Sequence, residues 1–420
     1  MKNVIILNTT HFANKGSMGR IEGMIRCLDE TIPDSKITFL HRYYKHDKDT
    51  LAKQLLKKYP NIEVKEHPWY RESSTNTSTV MFSIVRLCSS IIGHRLFHKM
   101  DPSLKCDAIV DLNLIEPDKF TSEFSLASFI GNVFTLLNIW HAKKVAGTPV
   151  MVCSATIGPY YNKILKRLAK HILNNVDLIT LREGYSKGSL QSLGVNGPPI
   201  YVTADLAFLL EPTNDDKTSA MLENIDDGHL IGLVPTEMMH PSLKQSQYIR
   251  LMTELSNHLI NNLNATIIYV SHTYQDELIT QNIYQNIENK HKVRIVPSDL
   301  SASETKGIIG MCSLFICSRF HALVASTSLA IPSLGIVAYS KNKFHGIIGE
   351  MMGQENYLLD IDDDFEYDAF LLELKSKIND LTMNQESIIK ELNEKAKIAR
   401  EQTLRNGKLL SDIIDSSSPR

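Results

Sequence analysis

SLFICSRFHALVASTSLAIPSLGIVAYSKNKF, residues 313–344, decides the reading of this chain. Residues 314–317 are an apolar run of strand length, 320–329 an Ala-rich helical stretch, and 332–339 a second apolar run opened by proline. Strand, helix, strand is a βαβ unit, and such units build parallel sheets. Ligands of open parallel sheets lie outside the carboxyl ends of the strands, where the next helix presents unpaired N–H groups that favour phosphate or carboxylate. Arg319 and His321 stand at that junction. On this segment alone, an anion site and the plainer reading, an arginine paired with a surface carboxylate and a histidine capping a loop, carry equal weight.

Working outward, residues 176–181 read as another strand, with Arg182 and Glu183 at its end. GYSKGSLQSLG, residues 184–194, follows as a short helix closed by glycine, before the strand-like IYVTADLAFLL. The device of strand, arginine, helix therefore occurs twice, and two α/β domains packed face to face would bring Arg182 and Arg319 to one cleft. Further strands are expected at 4–8, 36–40, 108–111, 149–154 and 201–204, then at 230–234, 266–270, 293–296 and 333–337, with a helix over 247–262. Alternation of this kind predicts two doubly wound, Rossmann-like parallel sheets. The acidic stretch EPTNDDKTSAMLENIDD, residues 211–227, is the expected linker between an amino-terminal domain, 1–210, and a carboxyl-terminal domain, 228–400. Residues 368–411 read as one long charged helix in a tail running to 420, its charge pattern that of a solvated face.

The 420 residues, 43% of them hydrophobic, suffice for two cores. A formal charge of −2 gives no electrostatic footprint for nucleic acid. Six scattered cysteines, without a CxxC pair, read as buried thiols of a reducing cytoplasm. The amino terminus reads as a first strand rather than a signal peptide. SLASFIGNVFTLLNIWHAKK, residues 125–144, is interrupted by Asn132, Asn138 and His141 and reads as an amphipathic helix against a sheet. Membrane association is therefore peripheral at most.

Other strand ends carry polar groups. NTTHFANKGSMGRIEG places Asn14, Lys15, Gly16 and Gly19 between the first strand and a helix, where glycines let backbone N–H groups approach an anion or a sugar, though a tight turn reads the same. The spacing fits neither a dinucleotide fingerprint nor a Walker loop. Thr236 and Glu237 follow the strand at 230–234 and suit sugar hydroxyls or a helix cap. His272 and Asp276 stand four apart in SHTYQD; substrate contact or capping is favoured over metal, for which ligands are too few. Lys341 and Lys343 add positive charge after the last strand. No serine triad, nucleophile elbow or glycosidase carboxylate pair is discernible.

Taken together, the NKGS loop, ATIGPYY from Ala155, LREGYSKGSLQSLG with the later TAD ending at Asp205, SHTYQD, and SRFHALVASTSLAIPSLGIVAYS with its KF pair resemble the polysaccharide pyruvyl transferase family. The resemblance spans most of the chain in the family's order. It implies a GT-B-like arrangement of two domains and transfer of a pyruvyl group from phosphoenolpyruvate to two hydroxyls of a sugar, forming a cyclic ketal. No cofactor or metal is implied; the partners are phosphoenolpyruvate and a sugar or glycan acceptor, lipid-linked or free, met in the cytoplasm or at the inner membrane face. Carried over residue by residue, the family's arginine of LRE is Arg182, its RxH pair is Arg319 and His321, and the lysine after the last strand is Lys343, with Lys341 its rival because this chain has one extra residue there. Ser17 stands where the family often has Asp, and DLNLIEPDKF, residues 111–120, replaces a glycine-rich stretch, departures that touch the acceptor side more than the donor. In this reading Arg182, Arg319 and Lys343 hold the donor's carboxylate and phosphate. His321 moves protons, and Asn14, Gly16, Thr236, Glu237, His272 and Asp276 face substrate. The alternatives are a GT-B glycosyltransferase using the same basic cluster for a nucleotide sugar's diphosphate, and a non-catalytic sugar-binding subunit.

Overall fold

The fold is that of a computed structural model, which describes residues 1–9, 12, 14–41, 51–66, 106–112, 126–216, 218, 221, 229–238 and 240–417. The chain forms two compact units, one of Met1–Ala13, Gly23–Leu206 and Glu401–Arg420, the other of Asn14–Glu22 and Ala207–Arg400. Most of the acidic stretch 211–227 and of DLNLIEPDKF lies outside the described residues.

The first unit is built on a parallel sheet in the order β3-β2-β1-β4-β5-β6-β7. Its strands are β1 (Asn3–Thr9), β2 (Lys36–His41), β3 (Ile62–Glu66), β4 (Ala108–Asp111), β5 (Val150–Ala155), β6 (Leu178–Leu181) and β7 (Ile200–Val202). Between them run α1 (Lys15–Thr31), α2 (Leu51–Lys58), α3 (Leu126–Ala146), α4 (Lys163–Leu173) and α5 (Tyr185–Leu193). AIVD in β4 and VMVCSA in β5 are buried at every position, as central strands covered on both faces must be. Leu136 and Ile139 of α3, Leu165 and Ile172 of α4, and Leu190 of α5 close one core with Ile109, Val152 and Ile179 of the sheet. The helix expected over 125–144 thus packs on the sheet.

The second unit repeats the plan, its parallel strands in the order β10-β9-β8-β11-β12-β13. They are β8 (Leu230–Val234), β9 (Thr266–Val270), β10 (Val293–Val296), β11 (Leu314–Cys317), β12 (Ser333–Val337) and β13 (Leu358–Asp360). The helices are α6 (Gln245–Leu263), α7 (Tyr274–Gln285), α8 (Ala302–Ile309), α9 (Phe320–Ser328), α10 (Tyr367–Met383) and α11 (Gln385–Ser417). From β8 the chain winds outward through β9 and β10, then returns to lay β11 against the other side of β8. The point of reversal lies between β8 and β11, where doubly wound sheets open their ligand crevice.

Three expectations need adjustment. The short strands β3 and β13 add one edge to each sheet and were not read from sequence. The single helix expected over 368–411 is two, broken at Asn384, whose side chain donates to the Asp380 carbonyl (3.1 Å) and carboxylate (2.9 Å) and so competes with helical bonding. Gly16 and Gly19 are not in a loop before the helix but in the first turns of α1, which Asn14 precedes.

Candidate functional site

Four adjacent strands of the second sheet, β9, β8, β11 and β12, bring their carboxyl ends side by side, and the residues just beyond them are His272, Thr236 with Glu237, Arg319 with His321, and Tyr339. Sequence separations of up to about a hundred residues collapse onto one sheet edge.

Arg319 occupies the N-cap position of α9 with extended backbone, so its side chain leaves the helix axis rather than continuing it. Its Nε donates to both Asp276 carboxylate oxygens (3.1 and 3.0 Å), and Nη2 donates to Oδ1 as well. Asp276 is itself anchored: it closes a capping box with Thr273 at the start of α7, accepting from the Thr273 N–H (3.1 Å), and it accepts from the Glu237 N–H (3.3 Å). This completely buried carboxylate fixes the direction of the guanidinium. Of the two expectations for Asp276, substrate contact or capping, its oxygens serve the cap, and they hold Arg319 as well. The Glu237 carboxylate lies 3.9 Å from Nη2 and is partly exposed. Thr236 is buried, its N–H donating to the Tyr248 hydroxyl (3.1 Å), which also bonds Ser318 (2.9 Å) and so braces β8 against β11.

His321 lies in the first turn of α9 with Gly16 of α1 against its ring. A Cβ built on Gly16 would stand 2.2 Å from Nδ1, so only glycine fits. The amino-terminal part of α1 is held in this unit by Lys15, whose Nζ donates to the carbonyls of Ser298 (2.7 Å) and Leu300. Asn14 caps the helix, its Oδ1 accepting from the Ser17 N–H at 3.2 Å. A small pocket is lined by Lys15, Gly16, His272, Lys306 and His321 together with apolar side chains. His272 is buried there, and its Nε2 has no hydrogen-bond partner among the described residues. Burial first, then the charges of Arg319, Lys15 and His321, holds its pKa well below 6.5, so the imidazole is neutral at physiological pH.

The two lysines separate cleanly. Lys341 is ion-paired to Asp360 (2.9 Å) and Asp362. Lys343 is buried with its Nζ 5.0 Å from the Tyr339 ring centroid and 5.5 Å from that of Phe320, the residue between Arg319 and His321. Tyr339 was not singled out from sequence; burial pushes its hydroxyl up to about 12, against the opposing charge of Arg319, so it stays protonated. Nothing in the NKGS motif shows what the Lys15 ammonium reaches; only the fold does.

In the first unit Arg182 follows β6 as Arg319 follows β11, and it too is held by a buried aspartate. Its Nη1 donates to Asp205 (2.6 Å) and its Nε to Thr156 (2.7 Å), with no part of the side chain exposed. At the reversal point of this sheet, between β1 and β4, Asn8 accepts from Asn138 (2.6 Å) and donates to Asp111.

The comparisons with known proteins agree with this architecture. Over 99% of its length the chain is similar in structure to Anabaena HepE (Alr3699) in complex with UDP-glucose (TM-score 0.58, 12% identity, 100% of that chain). A similar likeness, TM-score 0.61 at 11% identity over 99% of this chain and 100% of the other, is found to the UDP-GlcNAc 2-epimerase of Neisseria meningitidis bound to UDP-GlcNAc. At such identities the likeness establishes fold: two Rossmann-like domains of GT-B-like type. By sequence the chain is 20% identical over 307 residues, 69% of its own length and 71% of the relative's, to the amylovoran biosynthesis protein AmsJ of Erwinia amylovora. The sequence profile described as polysaccharide pyruvyl transferase matches residues 21–340, taking in Arg182, the Arg319–His321 pair and every strand from β2 to β12. With three quarters of its length under that profile and the motif arginine and histidine at the reversal point of the second sheet, the chain belongs to the polysaccharide pyruvyl transferase family.

Proposed function

We propose that this transferase moves a pyruvyl group from phosphoenolpyruvate to two hydroxyls of a glycan or its precursor, forming a pyruvate ketal. The observation that carries the reading is the meeting of Arg319, His321, Lys343 and a neutral His272 on one sheet edge within a single unit. Arg319, aimed by Asp276, suits a planar carboxylate, and Lys343 suits the phosphate as a point charge. Arg182 is wholly buried against Asp205 and Thr156 in the first unit, so its part in this reading rests on the family motif alone.

The reaction needs a proton at C3 of phosphoenolpyruvate, which turns the methylene into a methyl group and leaves a cationic C2. One sugar hydroxyl forms a C–O bond to C2 and the C2–O(phosphate) bond breaks, releasing inorganic phosphate; the second hydroxyl then adds at C2. Each hydroxyl gives up a proton, one replacing that taken by C3 and one leaving with phosphate. His321 is the acid and base, since an imidazole exchanges protons near neutral pH. Neutral His272 accepts or donates one hydrogen bond through Nε2. The reading places the enzyme in the cytoplasm, where phosphoenolpyruvate is made, and no described helix is long and apolar enough to cross a membrane.

The test is calorimetric titration of the purified protein with phosphoenolpyruvate and, separately, UDP-glucose. The proposal expects phosphoenolpyruvate to bind, Arg319→Lys to weaken it because the bidentate fork is lost, and His321→Ala to bind without releasing phosphate in the presence of acceptor glycan. Binding of UDP-glucose with none of phosphoenolpyruvate would move the reading to glycosyl transfer.

A further inference from the structure

Helix α4 (Lys163–Leu173) buries Leu165, Ala169, Ile172 and Leu173 in the first unit's core, which leaves Lys163, Ile164, Lys166, Arg167, Lys170 and His171 on its outer face. Five of these six are basic or imidazole side chains. The sixth, Ile164, is 64% exposed, and Tyr161, just before the cap residue Asn162, is 53% exposed. On the neighbouring helix α5, Tyr185 is 44% exposed and Lys187 adds another charge.

Among the described residues, no carboxylate neutralises this surface. Between residues 156 and 204 the chain has two, Asp177 and Glu183. Asp177 is gripped by Lys143 of α3 through both oxygens at 2.6 Å, and Glu183 is buried and bonded to the Ser186 N–H. Among the described residues, none of Lys163, Lys166, Arg167, Lys170 and Lys187 forms an ion pair. A chain of net charge −2 thus carries here five cations that pair with no described carboxylate, beside three exposed apolar or aromatic side chains. α4 follows β5 and α5 follows β6, adjacent strands, so Tyr161, Lys163, Ile164 and Tyr185 lie at the carboxyl-end edge of the sheet, the edge at which such sheets take their ligands.

Basic residues interleaved with an isoleucine and tyrosines are what a bilayer interface selects: the cations meet anionic headgroups while the apolar and aromatic tips enter the headgroup boundary. A polyanion such as nucleic acid would match the charges and leave Ile164 unused. We propose that the outer face of α4, with Tyr161 and Tyr185, is a peripheral docking surface for an anionic lipid bilayer. This goes beyond the transfer reading and does not depend on it.

The experiment is co-sedimentation of the full chain with vesicles of phosphatidylcholine alone and of phosphatidylcholine with phosphatidylglycerol. Binding is expected to the anionic vesicles only and to weaken with salt. Each surface cation contributes about fivefold in partitioning, so Lys166→Ala with Arg167→Ala lowers it about 25-fold. Ile164→Asp lowers it as well, while Ile164→Leu retains it; circular dichroism checks that each variant is folded. No binding by the unaltered protein overturns the proposal, as does binding that the α4 variants leave unchanged. Loss with the charge variant but not with Ile164→Asp identifies a site for phosphate groups in general and equally overturns bilayer docking.

Discussion

Gly16 shows how one absent methyl group makes room for a neighbouring imidazole. In a helix interior, glycine is less favourable than alanine by about 1 kcal/mol, so propensity alone would favour Gly16→Ala. The contact of 2.2 Å that a Cβ would make with His321 Nδ1 decides the opposite sign. Displacing a reacting group by about 1 Å costs roughly 100-fold in rate. Under the proposed pyruvyl transfer, with His321 moving protons, steady-state kinetics of Gly16→Ala should show kcat falling by about that factor with little change in KM for phosphoenolpyruvate, whereas a rise in KM with kcat unchanged would make Gly16 a substrate contact. Arg182 carries a different expectation. Removing one partner of a buried ion pair leaves the other charge uncompensated at about 3–5 kcal/mol. Arg182→Met should lower unfolding stability by that order in urea denaturation, because Asp205 is as completely buried as the arginine; an arginine serving the donor alone would leave the midpoint unmoved.

At the scale of elements, the π-type turn Phe344–Met351 begins directly after Lys343 and is clasped by His345. Its Nδ1 bonds Glu355 (2.7 Å) and its Nε2 bonds Asp360 of β13 (2.9 Å). Burial works against charge on this imidazole, but the hydrogen bonds and charges of Glu355 and Asp360 outweigh it and raise the pKa above 6.5. A raised pKa in the folded state gives stability that is complete below the unfolded value and is lost as pH rises through the folded one. His345→Gln should accordingly destabilise the protein more at pH 6 than at pH 9, as thermal unfolding at both values would read. The clasp steadies the segment that carries Lys343, so the same variant tests whether that lysine's position depends on it. Lys341 pairs with the same Asp360 and so is part of the clasp.

For the whole molecule, the notable fact is that each unit is assembled from distant parts of the chain. The amino-terminal turns of α1 belong to the second unit, and the end of α11, from Glu401 on, belongs to the first. There Leu410 and Ile414 are buried, Thr403 donates to the Asp205 carbonyl (3.2 Å), and Asn406 accepts from Thr203 (3.0 Å). Burying two such aliphatic side chains is worth about 3–6 kcal/mol. Deleting residues 401–420 should therefore destabilise the first unit by at least that order, seen as earlier proteolysis within it, even though the deletion removes no residue of the candidate site.

What the sequence determined by itself was the class of fold and the chemistry at its strand ends. Apolar runs at 314–317, 266–270 and 178–181 are too short for helices of ordinary length and suit strands covered on both faces, and the observed strands match those spans. Arg182, Arg319 and His321 stood out for a related reason, as charged or protonatable groups within a few residues of such runs, whereas Lys343 was preferred to Lys341 only through the family resemblance. The three-residue β13 was not legible, since a segment that short has no periodicity and exists only where β12 offers it an edge. Only the tertiary structure decided that Asp276 directs Arg319, that Lys341 is neutralised while Lys343 lies over aromatic rings, and that Gly16 is a seat for His321. Those are choices between partners brought together across up to about 300 residues of chain. Local sequence constrains which groups a residue offers, while the packing of four parallel strands settles which groups it meets.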